Sequence, residues 1–183
     1  MTAITRNPSN PNFLQPNKFI LTFSRLPNIQ YFCQSVTLPG ISMAEIPQFT
    51  PFVDVYIPGE KAIYDLLNVT FMVDEELTAW KEVHDWIRAM TFPVNFDEYK
   101  NLRNLNPNRA QLKPQYSDAK IVVLSSSNNP THEFVFYDVF PTSISTIILS
   151  TQEDPNSIPT ADGTFRYSYY DIKTVWHYFL IIV

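Results

Sequence analysis

The stretch FVDVYIPGEKAIYDLLNVTFMVDEELTAWKEVHDWIRAM, residues 52–90, contains both periodicities on which the fold depends. Two β-type runs, FVDVYI (52–57) and LLNVTFMV (66–73), flank Pro58-Gly59-Glu60-Lys61, a turn signal, so a hairpin is expected there. The period then changes from two to 3.6. Over DEELTAWKEVHDWIRAM (74–90), Leu77, Ala79, Trp80, Val83, Trp86, Ile87 and Met90 fall on one half of a helical wheel, with Glu75, Thr78, Lys81, Glu82, Asp85 and Arg88 on the other. Asp74 is placed to cap this helix, Glu75 and Glu76 lie at its positive end, and Arg88 sits in its last turn. A helix of this kind covers a sheet, and Pro93 ends it.

Working outward from that segment, KFILTFS (18–24) alternates Phe19, Leu21 and Phe23 against Ile20, Thr22 and Ser24, the pattern of a half-buried strand. IQYFCQSVTL (29–38) follows a short turn at Leu26–Asn28 and predicts its hairpin partner. Residues 40–51, which contain Pro47 and Pro51, read as a long loop, the kind of segment that carries function. Beyond the helix, 94–118 is a polar connecting loop. Strands resume at AKIVVLS (119–125), EFVFYDVF (133–140) and SISTIILS (143–150), with a turn at 126–130 and a bend at Pro141, and TFRYSYYDI (164–172) follows. The sum is a mainly β domain, an antiparallel β-sandwich or barrel of about seven or eight strands with one flanking amphipathic helix. Residues 1–17 form an irregular N-terminal arm, 18–174 the β domain and 175–183 an apolar C-terminal segment.

Composition agrees and narrows the function. The 183 residues, 45% hydrophobic, suffice for one domain with a sizeable core. Three glycines leave no glycine-rich loop to cradle a nucleotide phosphate, which excludes Rossmann and P-loop enzymes. Fifteen prolines disfavour long helices. Thirteen Lys and Arg against 18 Asp and Glu give a net charge of −5, which argues against a protein that grips nucleic acid by its phosphates. The single cysteine, Cys33, cannot form an internal disulfide. No secretory signal is visible, and the longest apolar run, VWHYFLIIV (175–183), is about half a membrane span, so a soluble protein with no membrane partner is expected.

No catalytic constellation emerges. His84, His132 and His177 lack partners at metal-binding spacing, so no metal or other cofactor is expected. Ser125, Ser126 and Ser127 have no glycine elbow around them and read as turn residues, and Cys33 reads as a small buried hydrophobe. Glu75, Glu76, Glu82 and Asp85 read as a solvated helix face. Tyr167, Tyr169 and Tyr170 beside Arg166 fit either a stacking platform for sugars, as in a carbohydrate-binding module, or cross-strand aromatic packing in a core or interface. The apolar ending, with Trp176, Tyr178 and Phe179 and no full charge, requires a cover. An assembly protein rather than an enzyme is the reading these features support.

The order of segments is informative in itself. PNKFILTF (16–23), CQSVTLPGI (33–41), YIPGEKAIYDLLNVTFMVDEE (56–76) and WKEVHDWI (80–87), then DVFPTSISTIILSTQED (138–154) and TFRYSYYDI (164–172), together resemble the tail tube family of contractile-tailed bacteriophages. The resemblance implies a structural virion protein, assembled in the host cytoplasm, whose copies form six-fold rings that stack into a tube through which DNA passes without specific binding. Baseplate tube-initiator proteins share that fold and are the alternative, and the implied partners are further copies, the tail sheath, and baseplate or tail terminator proteins. Carried over by position, the loop 40–51 corresponds to the long loop that reaches an adjacent ring or subunit, and Ile41, Met43, Ile46, Phe49 and Phe52, with Trp176, Tyr178 and Phe179, are expected inter-subunit contacts. The strands 52–57 and 66–73 would help line the lumen, with Glu60 and Asp65 facing it, and the helix would pack outside. A negative wall would repel DNA and let it slide.

Overall fold

A computed structural model describes residues 12–91, 96–104, 115–152, 154 and 157–175. Among the described residues, nine strands and three helices follow one another as β1 (Phe19–Phe23), α1 (Pro27–Phe32), β2 (Cys33–Val36), β3 (Ile41–Gln48), β4 (Val55–Tyr64), β5 (Leu67–Met72), α2 (Thr78–Thr91), α3 (Asp97–Asn104), β6 (Ser117–Leu124), β7 (Pro130–Ile144), β8 (Thr160–Arg166) and β9 (Tyr169–Thr174). Seven strands make one continuous antiparallel sheet ordered β1-β6-β7-β8-β5-β2, with β9 added to β7. β3 and β4 pair only with each other.

The sheet folds into two leaves at β7. Its first half pairs β6 on one side and β9 on the other, from His132↔Thr174 to Tyr137↔Tyr169, and its second half pairs β8, from Phe140↔Arg166 to Ile144↔Gly163. Between the halves, an extra residue opposite Asp118 forms a bulge, and Asp138 adopts φ 54°. A bulge bends a strand and raises its twist, and Asp tolerates the left-handed conformation better than most residues. β8 and β9 break at the same level, Tyr167–Ser168, where Ser168 N–H donates to Tyr137 O (3.0 Å) and Ser168 Oγ donates to Asp138 Oδ2 (3.2 Å). Two crossing chains therefore join the leaves at one corner.

The core fills the space between the leaves. Leu67, Val69 and Phe71 of β5 alternate inward, as do Ala119, Ile121 and Val123 of β6, and Phe23 of β1 meets Phe165 of β8 across the interior with ring centres 5.0 Å apart. α2 buries Ala79, Val83, Trp86 and Ala89, one helical stripe, and packs along β7. Its tryptophans each satisfy the indole N–H, Trp80 to Ser145 O (3.2 Å) and Trp86 to Gln115 O (3.1 Å). The Arg25 guanidinium lies over the Trp86 ring, 5.0 Å from its centre.

The helix predicted over 74–90 begins at Thr78, because Asp74 caps it from a distance. Its carboxylate accepts from Thr78 N–H (3.1 Å), the Thr78 hydroxyl and Ala79 N–H (3.3 Å). These bonds, led by the Thr78 hydroxyl, hold the Asp74 carboxyl below its usual range.

Several expectations are corrected. Residues 27–32 form a short helix rather than a strand: Pro27 opens it and Ile29 is its buried anchor. β1 consequently pairs β6, and β2 pairs β5, so the hairpin 18–38 does not exist. Residues 41–48 are a strand, not a loop. Pro58-Gly59 lies inside β4 rather than at a turn, so 52–57 and 66–73 are not partners. Residues 133–140 and 143–144 belong to one strand that ends at Ile144, while 164–172 splits between β8 and β9. α3 occupies part of the predicted connection 94–118. Residues 12–18 carry no helix or strand, and the rest of the N-terminal arm and residues 176–183 lie outside the described residues.

Candidate assembly interface

β3 and β4 form a ribbon that leaves the body at Gly40 and returns at Asp65. Eight residues of β3 span about 26 Å at the rise of an extended strand. The register runs from Ile41↔Tyr64 through Met43↔Ala62, then shifts to Glu45↔Pro58 and continues to Gln48↔Val55. The shift leaves Gly59, Glu60 and Lys61 opposite Ala44 alone, so β4 bulges there. A β-carbon on Gly59 would stand 2.3 Å from the Ala44 carbonyl oxygen, which makes glycine obligatory in this geometry. At the tip, Thr50 Oγ1 accepts from Val53 N–H (3.2 Å) and its hydroxyl donates to Val53 O (2.5 Å).

Every residue of β3 is exposed, and β4 is nearly so. One face of the ribbon presents Ile41, Met43, Tyr56 and Ala62, and the other presents Ile46, Ile57 and Ile63. Phe49 and Phe52 stand at the tip, 78% and 97% exposed. A strand with one dry face alternates apolar and polar residues, whereas one covered on both faces is apolar on both. An isolated two-stranded hairpin is at best marginally stable in water. Both faces of the ribbon are therefore apolar and left uncovered by the described residues.

The structure thus brings Ile41, Met43, Ile46, Phe49 and Phe52 together on one projecting arm. Trp176, Tyr178 and Phe179 lie outside the described residues. Glu60 is exposed in the β4 bulge, while Asp65 is at the root, where its main chain bonds Gly40 O (3.1 Å) and Tyr167 Oη (2.8 Å). Sequence reasoning missed the partners of this arm, Tyr56, Ile57 and Ile63. The signal was the apolar residues at consecutive positions, Val55-Tyr56-Ile57 and Ala62-Ile63-Tyr64, which put apolar side chains on both faces of a strand.

Other candidate chemistry resolves into packing. Tyr167 is buried and Tyr170 half-buried in a ring cluster with Tyr64 and Phe136, so only Tyr169 of the three faces outward, stacked on Tyr137 at 4.8 Å. A continuous sugar platform is not formed by the three. His84 stacks on Trp80 (5.1 Å) with its ring Nδ1 3.1 Å from Asp85 Oδ1. Burial pushes the Cys33 thiol up to about 11, far from a reactive thiolate. Ser125 serves the turn 125–129, accepting from Asn129 N–H at 3.2 Å. Among the described residues no group of three or more His, Cys, Asp or Glu could hold a metal ion, and no helix is long and apolar enough to cross a membrane.

A two-leaved β body with one flanking helix and a projecting two-stranded arm has known counterparts. Residues 9–173 match the phage tail tube protein family. The chain belongs to that family. A tail tube relative, the tail tube terminator protein of Enterobacteria phage T4, is 27% identical over 147 residues, 76% of each chain. The fold recurs in the tube terminating cap of the anti-feeding prophage (TM-score 0.61, 17% identity, 96% of this chain and 100% of that one). It recurs also in the sheath–tube complex of an extracellular contractile injection system (TM-score 0.62, 15% identity, 90% and 94%). The protein is a tail structural protein of the tube or tube-terminator kind.

Proposed function

We propose that copies of this tail tube family member join through the β3–β4 arm into a closed ring that ends a phage tail tube. The observation that carries the ring is the arm, whose apolar residues on both faces have no cover within the described chain. Seating each arm between the body and arm of neighbours would bury both faces and continue its pairing from subunit to subunit, and closing the ring leaves no free edge. Ile41, Met43, Ile46, Phe49 and Phe52 are the contacts in this reading, and six copies is the number the family resemblance favours. Terminal placement rests on the likeness to the T4 terminator, which spans three quarters of each chain.

The function is geometric rather than catalytic. An aqueous channel for DNA needs a wall that does not hold phosphates, and the charge of −5 supplies it, with Glu60, carried on the arm, as the inward acid this reading favours over the root residue Asp65. The partners are other tail proteins, and the location is the virion tail. Cryo-EM of the purified chain, alone and with tube protein, tests the ring: a monomer under both conditions overturns it. Counting copies per particle by quantitative mass spectrometry tests the placement. One ring's worth supports a terminal or initiating position, and many rings' worth makes the chain the repeated tube subunit.

A further inference from the structure

The arm meets the body at two points only one hydrogen bond apart, where Asp65 N–H donates to Gly40 O (3.1 Å). Both roots are also held from outside the arm, by hydroxyls of the β8–β9 crossing. Tyr167 donates to Asp65 O at 2.8 Å, just after β4 ends, and Tyr170 donates to Pro39 O at 3.4 Å, just before β3 begins. The second bond is long and correspondingly weaker. Tyr64, the last residue of β4, sets its ring edge-on against both tyrosines, with centres 6.0 and 5.5 Å away. Behind them, Phe136 packs on both rings at 5.0 and 5.5 Å, so the clamp is backed by the core. β3 and β4 otherwise pack mainly on each other, which leaves these root contacts to set the direction of a lever about 26 Å long.

We propose that Tyr167 and Tyr170 are positioning residues, which fix the angle at which the arm leaves the body and thereby the geometry in which copies close into a ring. This rests on the ring reading above for its consequence, but not for the clamp itself. A small change of angle at the root is multiplied along the arm into displacement at Phe49 and Phe52. Burial pushes the Tyr167 hydroxyl up to about 12, so it stays a protonated donor over the whole working pH range.

The test uses the full chain carrying Cys33→Ser, with spin labels at Asp54→Cys on the arm tip and Glu75→Cys on the body. In the dilute monomer the parent gives one narrow distance distribution. The pair Tyr167→Phe and Tyr170→Phe, which removes two oxygens and keeps both rings, broadens it while the melting temperature moves by only a few degrees. Amide exchange at Asp65 accelerates about tenfold, the scale of one lost hydrogen bond, and exchange in β5 stays unchanged. The yield of closed rings falls with the broadening. Should the pair fail to fold, Tyr170→Phe alone shows the same changes in smaller measure. Unaltered distances and exchange in a folded variant overturn the clamp, and a loosened arm with parental ring yield overturns its role in assembly. If the parent itself forms no rings, the ring reading falls while the distances still judge the clamp.

Discussion

The body and the arm of this molecule are built from the same secondary structure but by opposite rules. In the body, β5 alternates buried residues with more accessible ones, and its buried Leu67, Val69 and Phe71 belong to the one core cluster that both leaves share. In the arm, β3 has no buried residue at all. The body's stability is internal, since apolar area leaves water on folding of one chain. The arm's apolar area stays in water in the described chain and would leave it only in the proposed ring. The contrast teaches that a strand's burial pattern says where its partner is, within the chain or beyond it.

The two rules can be separated by substitution. Phe71→Ala, at a fully buried ring between the leaves, costs about 3–5 kcal/mol and removes ring formation together with the fold, as thermal melting followed by circular dichroism will show. The pair Phe49→Ser and Phe52→Ser does the reverse: association in sedimentation equilibrium weakens by about 30-fold or more, the scale of losing one interface hot spot, while the melting temperature holds. A fall in melting temperature comparable to that of Phe71→Ala would end the distinction between the two regions.

Gly59→Ala sharpens it further, because the change lies inside the arm. The added methyl meets the Ala44 carbonyl, so the ribbon loses register beyond the bulge. Association weakens about tenfold, and the body's stability changes by less than about 0.5 kcal/mol, the ordinary range for an exposed site away from the core. The smallest expected effect belongs to the body alone. Asp74→Ala removes the cap of α2 and costs about 1 kcal/mol at neutral pH. Since Asp74 has a lowered carboxyl pKa in the folded state, its contribution is present above the ordinary carboxylate range and is lost as the pH falls through the folded value. In denaturant titrations from neutral pH downward, the gap between parent and variant should therefore begin to narrow below about pH 4 and close once the pH has passed the lowered folded value.

The same contrast explains what could be read from sequence. β1, β5, β6 and α2 were legible because a two-residue or 3.6-residue period records a single dry face, and each has one. The arm is half legible: Ile41, Met43 and Ile46 read as contacts, yet their segment 40–51 reads as a loop because of Pro47 and Pro51, and Pro58-Gly59 reads as a turn. Pro47 and Pro58 are tolerated in a ribbon that has open edges in the isolated chain. Residues 27–32 misled for a different reason. The apolar pair Tyr31 and Phe32 suits a strand, but Pro27 at the helix start and the buried Ile29 decide the matter through tertiary packing. The split of 164–172 was invisible because crossing from one leaf to the other happens without a proline or glycine, at Tyr167–Ser168.

The bent strand β7 carries a consequence for how the molecule would yield under load. Because its two halves are the middle of one leaf and the rim of the other, stripping either leaf unravels a segment the other needs. Unfolding then has no stable halfway point in which one leaf survives alone. In the proposed ring, a subunit pulled by its neighbours would hold to a single threshold force and then give way at once, rather than creep open leaf by leaf.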